Sequence, residues 1–207
     1  MRNHRFGAYR HLLGAAILLG TCSLAAAQQS GQAQGMEELT RAMQGLMSGG
    51  GSNTAAVVDF RELKALLPLD FAGLKRKSAG GEKSTTMGMT MAYAEASYEG
   101  GGAGANIKIS DMGGMGSFMM MAQASWAASE IDRESDEGYE KTTTYSGFKA
   151  LEKYDSGQKS GEVQILVGKR FMVEINSQDV DMENVKKSAE ALDLKKLETI
   201  KPAAAAK

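Results

Sequence analysis

The sequence predicts an α+β fold, a single domain with a largely antiparallel sheet of about six to seven strands, one central helix and a C-terminal helix packed on it. Three observations support this prediction. Short segments of alternating polarity outnumber segments with helical periodicity. Glycine-containing turn signals separate most of these segments, which favours hairpins over helical crossovers. The chain has 207 residues, enough to bury one substantial core.

The domain is predicted to span residues 57–200 and to open with a short helix. Asp59 can cap this helix, and Glu62 stands at the position that completes a capping box. The apolar residues Leu63, Leu66 and Leu67 follow. Pro68 ends the helix, because proline cannot continue it.

Strand signals occupy most of the rest of the domain. Residues 74–98 alternate in polarity, and a glycine-rich turn leads from them into a third strand over 106–111 that directs Ile107 and Ile109 inward. Gly168 and Lys169 suit a two-residue hairpin turn. Further strands are predicted at 130–135, 139–146, 148–154, 162–167 and 170–176.

Two longer helices complete the predicted fold. The central helix covers residues 115–126, where apolar residues recur at helical spacing. The C-terminal helix begins after Asp181, a good capping residue, and carries Met182, Val185 and Ala189 on one face. The alanine-rich tail, residues 201–207, is predicted to be disordered.

The N-terminus has the pattern of a secretory signal peptide over residues 1–27. Arg2, Arg5 and Arg10 precede an apolar run at 12–19, and small residues follow up to Ala27. That run is shorter than the roughly 20 residues of a membrane-spanning helix. We therefore expect export to the periplasm or the extracellular space, with no transmembrane segment.

A lipid anchor is the alternative reading of this N-terminus. Residues 19–22 resemble the lipobox of bacterial lipoproteins, which would make Cys22 the lipid-modified residue. Thr21 departs from the small residue that normally precedes such a cysteine, and this favours cleavage after Ala27.

Residues 28–56 form a Gly-, Ser- and Gln-rich segment that is predicted to be flexible. Within it, residues 36–47 carry Met36, Leu39, Met43 and Met47 at helical spacing. This pattern predicts one short amphipathic helix with a flexible stretch on either side.

Composition excludes several function classes. His4, His11 and Cys22 are the chain's histidines and cysteine, so a chain cleaved after Ala27 has no imidazole, thiol or disulfide. Cleavage also removes three arginines and no acid, which takes the formal net charge from −1 to −4. Lysines are interleaved with acids, so the sequence does not favour nucleic acid as a partner.

Methionine is the most unusual component, with 14 residues. Met87, Met89 and Met91 would lie on one side of a strand, and thioethers are soft ligands that can hold Cu(I). The alternative is that these flexible apolar side chains fill the core. A Cu(I)-binding periplasmic protein is therefore one alternative function.

Two other patterns in the sequence could carry chemistry. Residues 111–116 place glycines between a strand and a helix, as a phosphate-binding loop requires, but Met119 stands at the third glycine position. The acidic residues near 132–140 and 179–183 could supply the paired carboxylates of a hydrolase, the second alternative function. Neither pattern predicts a cofactor.

The sequence thus favours an exported, soluble, non-enzymatic binding or interaction module. This module would bind an unknown protein, an envelope component or a small hydrophobic ligand through the sheet face or through the Thr- and Tyr-bearing strand at 139–145. Thr143 and Tyr145 are the predicted contact residues, because β-branched and aromatic side chains can pair with an incoming strand.

Overall fold

The computed structural model describes residues 56–86, 89–115, 124–126 and 128–202, and its strands form one antiparallel sheet. The strands are β1 Asp70–Phe71, β2 Leu74–Thr86, β3 Met89–Gly100, β4 Ala103–Asp111, β5 Asp132–Ser135, β6 Gly138–Tyr145, β7 Phe148–Asp155, β8 Ser160–Val167 and β9 Phe171–Gln178. The helices are α1 Phe60–Ala65, α2 Met182–Glu190 and α3 Leu194–Thr199, with a single 3-10 turn at Gly113–Met115. The sheet order is β1-β2-β3-β4-β9-β8-β7-β6-β5, so β4 and β9 pair at its centre.

Nine strands and a few short helices make the fold mostly β, so the predicted α+β class and strand number hold only roughly. The antiparallel sheet itself is confirmed. The alternating stretch 74–98 is a hairpin, since β2 ends at Thr86 and β3 begins at its partner Met89. The two-residue strand β1 has no counterpart among the predicted strands.

Hairpin turns connect most neighbouring strands. Three of them join their strands through two residues with positive φ, as type I′ turns require, and each has glycine second, where the missing Cβ removes the steric cost. These turns are Ala72–Gly73, Gly101–Gly102 and Ser146–Gly147. The loop between β8 and β9 has three residues, 168–170, because Val167 pairs with Phe171. The predicted two-residue turn is therefore one residue too short.

One face of the sheet, the inner face, packs with the three helices around the hydrophobic core. Ile107 and Ile109 point into this core at 0% and 3% exposure, as predicted. The sheet also contributes Ala94, Ala96, Val163, Ile165, Val173 and Ile175, and the helices contribute Leu63, Val185, Ala189, Leu194 and Leu197. Each buried Val, Leu or Ile side chain stabilises the fold by about 1.5–3 kcal/mol, so this core is the main source of stability.

Asp side chains cap the helices. Asp59 accepts the Arg61 N–H at 2.8 Å and Asp181 accepts the Glu183 N–H at 2.8 Å, which confirms both predicted caps. The predicted C-terminal helix is divided in two. Asp193 starts the second part by accepting the Lys196 N–H at 3.0 Å.

Several predictions fall outside the described residues. These are the signal peptide 1–27 with Cys22, the flexible segment 28–55 with its helix 36–47, the tail 203–207, and residues 116–123 of the central helix. Residues 124–126 of that helix are helical. Across the described ranges, no helix is both long and apolar enough to cross a bilayer.

Candidate functional site on the outer face of the sheet

The outer face, which lies opposite α1, α2 and α3, carries polar side chains at alternate positions of the central strands. On β8 these are Glu162 and Gln164, and on β9 they are Glu174 and Asn176. Buried Val and Ile residues separate them, because successive side chains of a strand point to opposite faces. The strands that build the core therefore also present a polar surface to solvent.

The strand register aligns the first set of these residues into the amide row, which crosses five strands. Its members, in order from β4 to β6, are Asn106, Asn176, Glu162, Lys153 and Glu140. Lys153 stands directly between Glu162 and Glu140, so its positive charge attracts the glutamate on either side. The two asparagines each add an amide that both donates and accepts hydrogen bonds.

A second set forms the charged row beside the first. Its members, in order from β3 to β8, are Glu95, Lys108, Glu174 and Gln164. Gln164 Nε2 donates to Glu162 Oε1 at 2.6 Å and links the two rows. The Lys108 ammonium lies 4.8 Å from the Tyr93 ring centroid, which holds this lysine over an aromatic ring.

A groove of about 510 Å³ opens over the amide row. Its lining includes Asn106, Asn176, Lys153, Glu162, Ser160 and Gln178. Sites for small apolar ligands are mostly lined by hydrophobic and aromatic side chains. This lining offers amide, hydroxyl, carboxylate and ammonium groups, so the groove suits a polar partner that hydrogen-bonds at several points.

The predicted contact residues on β6 lie on the other side of the sheet. Tyr145 is 4% exposed, and its hydroxyl donates to Glu152 Oε2 at 2.9 Å. Thr143 is half-buried on the same inner face. β5 already pairs with the first half of β6, and Ile131 O accepts the Thr142 N–H at 2.7 Å. The role of Thr143 and Tyr145 in binding remains a prediction.

Glu152 is the centre of a buried polar cluster between β6, β7 and α2. At 2% exposure its carboxylate accepts hydrogen bonds from the hydroxyls of Tyr139 and Tyr145. Lys186 Nζ of α2 lies 3.2 Å from Glu152 Oε1, and Lys141 Nζ lies 3.9 Å from the same oxygen. Because the buried charge is compensated on several sides, this cluster fixes α2 against the sheet.

The cluster shifts the pKa values of its members. Burial raises the pKa of Tyr145, and the Glu152 charge raises it further. Burial and the hydrogen bond to Glu152 raise the pKa of Tyr139 to about 12. Burial acts to lower the pKa of Lys186, but its bond with Glu183 and the charge of Glu152 raise it overall. Both phenols therefore stay protonated and Lys186 stays charged at neutral pH.

The glycine loop after β4 is occupied by the protein's own carboxylate. Asp111, fully buried, accepts the Gly113 N–H at 2.9 Å and the Val58 N–H at 2.7 Å. Arg170 binds the same carboxylate through two nitrogens, at 2.8 Å and 2.7 Å. A Cβ on Gly114 would lie 2.0 Å from Thr90 O, so this glycine serves close packing of the loop on β3. Gly116 lies outside the described residues.

The predicted metal ligands Met89 and Met91 lie on the outer face at the start of β3, and Met87 lies outside the described residues. Their exposed fractions are 44% and 36%, so these two methionines do not fill the core. Within the described ranges, no three Asp, Glu, His or Cys side chains converge as a metal site.

Sequence reasoning missed the two polar rows. The alternation on β8 and β9 was visible as Glu162, Gln164, Glu174 and Asn176 between apolar residues. Which of these side chains stand together depends on strand order and register. Comparison of the chain with protein-family models, with curated protein sequences and with solved structures finds no match.

Proposed function

We propose that the protein is an exported, non-enzymatic binding module that contacts its partner through the outer face of the sheet. The observation that carries this proposal is the amide row, which places five hydrogen-bonding side chains on adjacent strands beside a groove of about 510 Å³. The partner is a polar envelope component or protein. Export rests on the N-terminal residues 1–27.

The position of the buried carboxylates favours binding over hydrolysis. A carboxylate hydrolase needs an acid or base that reaches its substrate. Among the described residues, the buried carboxylates Asp111 and Glu152 are both held on the protein by several hydrogen bonds, and neither lines the groove. The acids that do face the groove, such as Glu162, are available for hydrogen bonding to a partner.

Site-specific photo-crosslinking tests the proposal. A photoreactive residue at Asn176, exposed in the amide row, should crosslink the full-length protein to a partner in envelope preparations. The same residue at Glu62, exposed on α1, is the matched control and should give none. The double substitution Lys153→Glu with Glu162→Lys exchanges neighbouring charges without changing net charge, and should abolish the Asn176 crosslink.

The outcome is decisive in either direction. Crosslinks from Asn176 that disappear with the charge exchange support the outer face as the contact surface. Equal crosslinking from Glu62, or none from Asn176, would reject it. Mass spectrometry of the protein purified from its native compartment tests export separately: an N-terminus at Gln28 supports cleavage, and an acylated Cys22 supports the lipid anchor.

A further inference from the structure

The exposed apolar side chains of the sheet are concentrated at one end of β3. Met89 and Met91 are two of the three large apolar residues that are exposed within the described ranges, the third being Leu69. Single exposed apolar residues are ordinary. Two flexible thioethers on the same face of one strand, separated by a single residue, are a distinct chemical feature.

A third methionine lies next to them in the sheet. Ala92 of β3 and Asp111 of β4 are the last pair of their ladder, and the next residues on the two strands are Met91 and Met112. The Met112 N–H donates to Arg170 O at 3.0 Å, so Met112 continues alongside the residue that precedes β9. The adjacent residues Ala92 and Asp111 are buried on the inner face. Because successive side chains of a strand point to opposite faces, the side chains of Met91 and Met112 lie on the outer face.

The spacing allows the three sulfurs to reach one point. Side chains opposite each other on neighbouring strands have Cβ atoms about 4.5–5.5 Å apart. Met89 and Met91 stand about 7 Å apart along the strand. Each methionine side chain has three rotatable bonds, which is enough to bring the sulfurs together above the sheet.

We propose that Met89, Met91 and Met112 bind a soft monovalent cation, Cu(I) or Ag(I), through their thioether sulfurs. Thioethers select such ions over hard divalent cations. Thr86 and Ser84 stand opposite Met89 and Met91 on β2, so no charged side chain faces these two methionines from that strand. This site is independent of the amide row, and failure of either proposal leaves the other intact.

Silver titration followed by NMR tests this site. The protein, labelled with ¹³C at its methionine methyl groups, is titrated with Ag(I), a redox-stable equivalent of Cu(I). The methyl signals of Met89, Met91 and Met112 should shift together to saturation. Met182, 8% exposed under α2, should not shift and is the internal control. Signals are assigned by single Met→Leu substitutions, which keep the side-chain volume.

The variants decide the outcome. Met91→Leu should weaken Ag(I) affinity at the remaining two methyl groups at least about tenfold, the low end of the loss seen when a metal site loses even a supporting residue. Met182→Leu should leave the affinity unchanged. Absence of shifts at the three methyl groups at saturating Ag(I), or unchanged affinity in Met91→Leu, would overturn the proposal. Anaerobic Cu(I) titration against a competing chelator should give the same order of variants.

Discussion

Arg170→Met removes the guanidinium that compensates Asp111 at the junction of β4 and β9. Asp111 is completely buried, and Arg170 contributes two of its four hydrogen bonds. Removing one partner of a buried ion pair costs about 3–5 kcal/mol. The Val58 and Gly113 N–H groups still bind the carboxylate, so we expect the lower end, about 3 kcal/mol of unfolding free energy. For a domain of this size that corresponds to a melting temperature lower by about 6–12 °C.

Urea unfolding followed by Trp126 fluorescence measures this loss. Arg133→Met is the matched control, because Arg133 pairs with Glu140 at 3.4 Å but is 75% exposed. An exposed pair contributes about 1 kcal/mol or less. Adding Asp111→Asn to Arg170→Met should recover part of the loss, since an uncharged amide oxygen can still accept one N–H. A loss in Arg170→Met no larger than in Arg133→Met would refute the reasoning.

Three further predictions concern the inner face and the edge of the sheet. Tyr145→Phe removes a buried hydrogen bond to the charged Glu152 and should lower the unfolding free energy by about 2 kcal/mol in urea titrations; a loss below about 0.5 kcal/mol would contradict it. A Cβ on Gly81 would meet backbone and aromatic atoms at 2.7–2.8 Å, whereas Gly80 has none within 4 Å. Gly81→Ala should therefore lower the unfolding free energy of the protein by about 1–3 kcal/mol, and Gly80→Ala should not. Equal melting temperatures for the two variants would contradict this, since they would show that the atoms around Gly81 move to make room for the added methyl group. The pKa of Tyr139 is raised to about 12 in the folded state, so the folded state holds this proton more tightly than the unfolded chain, whose tyrosines titrate near 10. The stabilisation that comes from the tighter binding of this proton is complete below about pH 10 and should fall as the pH rises toward 12. An unfolding free energy that rises between about pH 9 and 11 would contradict this prediction.

The sequence predicted the strands whose apolar and polar residues contrast most strongly. β8 alternates Val163, Ile165 and Val167 with polar or half-buried residues, and its predicted range 162–167 lies within Ser160–Val167. The caps at Asp59 and Asp181 were also predicted, since capping depends on local chemistry alone. Local periodicity therefore identified most of the individual elements.

The boundary between β2 and β3 was not predicted because their buried face is built from small residues. Ala92, Ala94 and Ala96 are all at most 1% exposed, yet alanine is only weakly apolar and marks a buried face less clearly than Val or Ile would. The signal that could have divided the stretch is Gly88, which lies between the paired residues Thr86 and Met89. The alternation continued in phase across this position, so the pattern did not show where the two strands before 106–111 divide.

Residue type and strand register contributed differently to the candidate sites. Thr143 and Tyr145 were chosen for their chemistry, and burial then placed Tyr145 against Glu152. Asn106 and Asn176 lie far apart in the sequence, and they become neighbours because β4 pairs with β9. Periodicity within one segment contains no information on such long-range pairing.

The alternation of each strand separates the residues that stabilise the fold from the proposed contact surface. On the inner face, the buried charges of Asp111 and Glu152 are compensated by Arg170, Lys186 and neighbouring hydrogen-bond donors, so substitutions there act on folding. On the outer face, one residue away along the same strands, the amide row contacts solvent and contributes little to the core. Surface substitutions of this kind usually change stability by less than about 0.5 kcal/mol. Substitutions on the proposed contact face should therefore leave the sheet intact, because the inner face of the same strands specifies it.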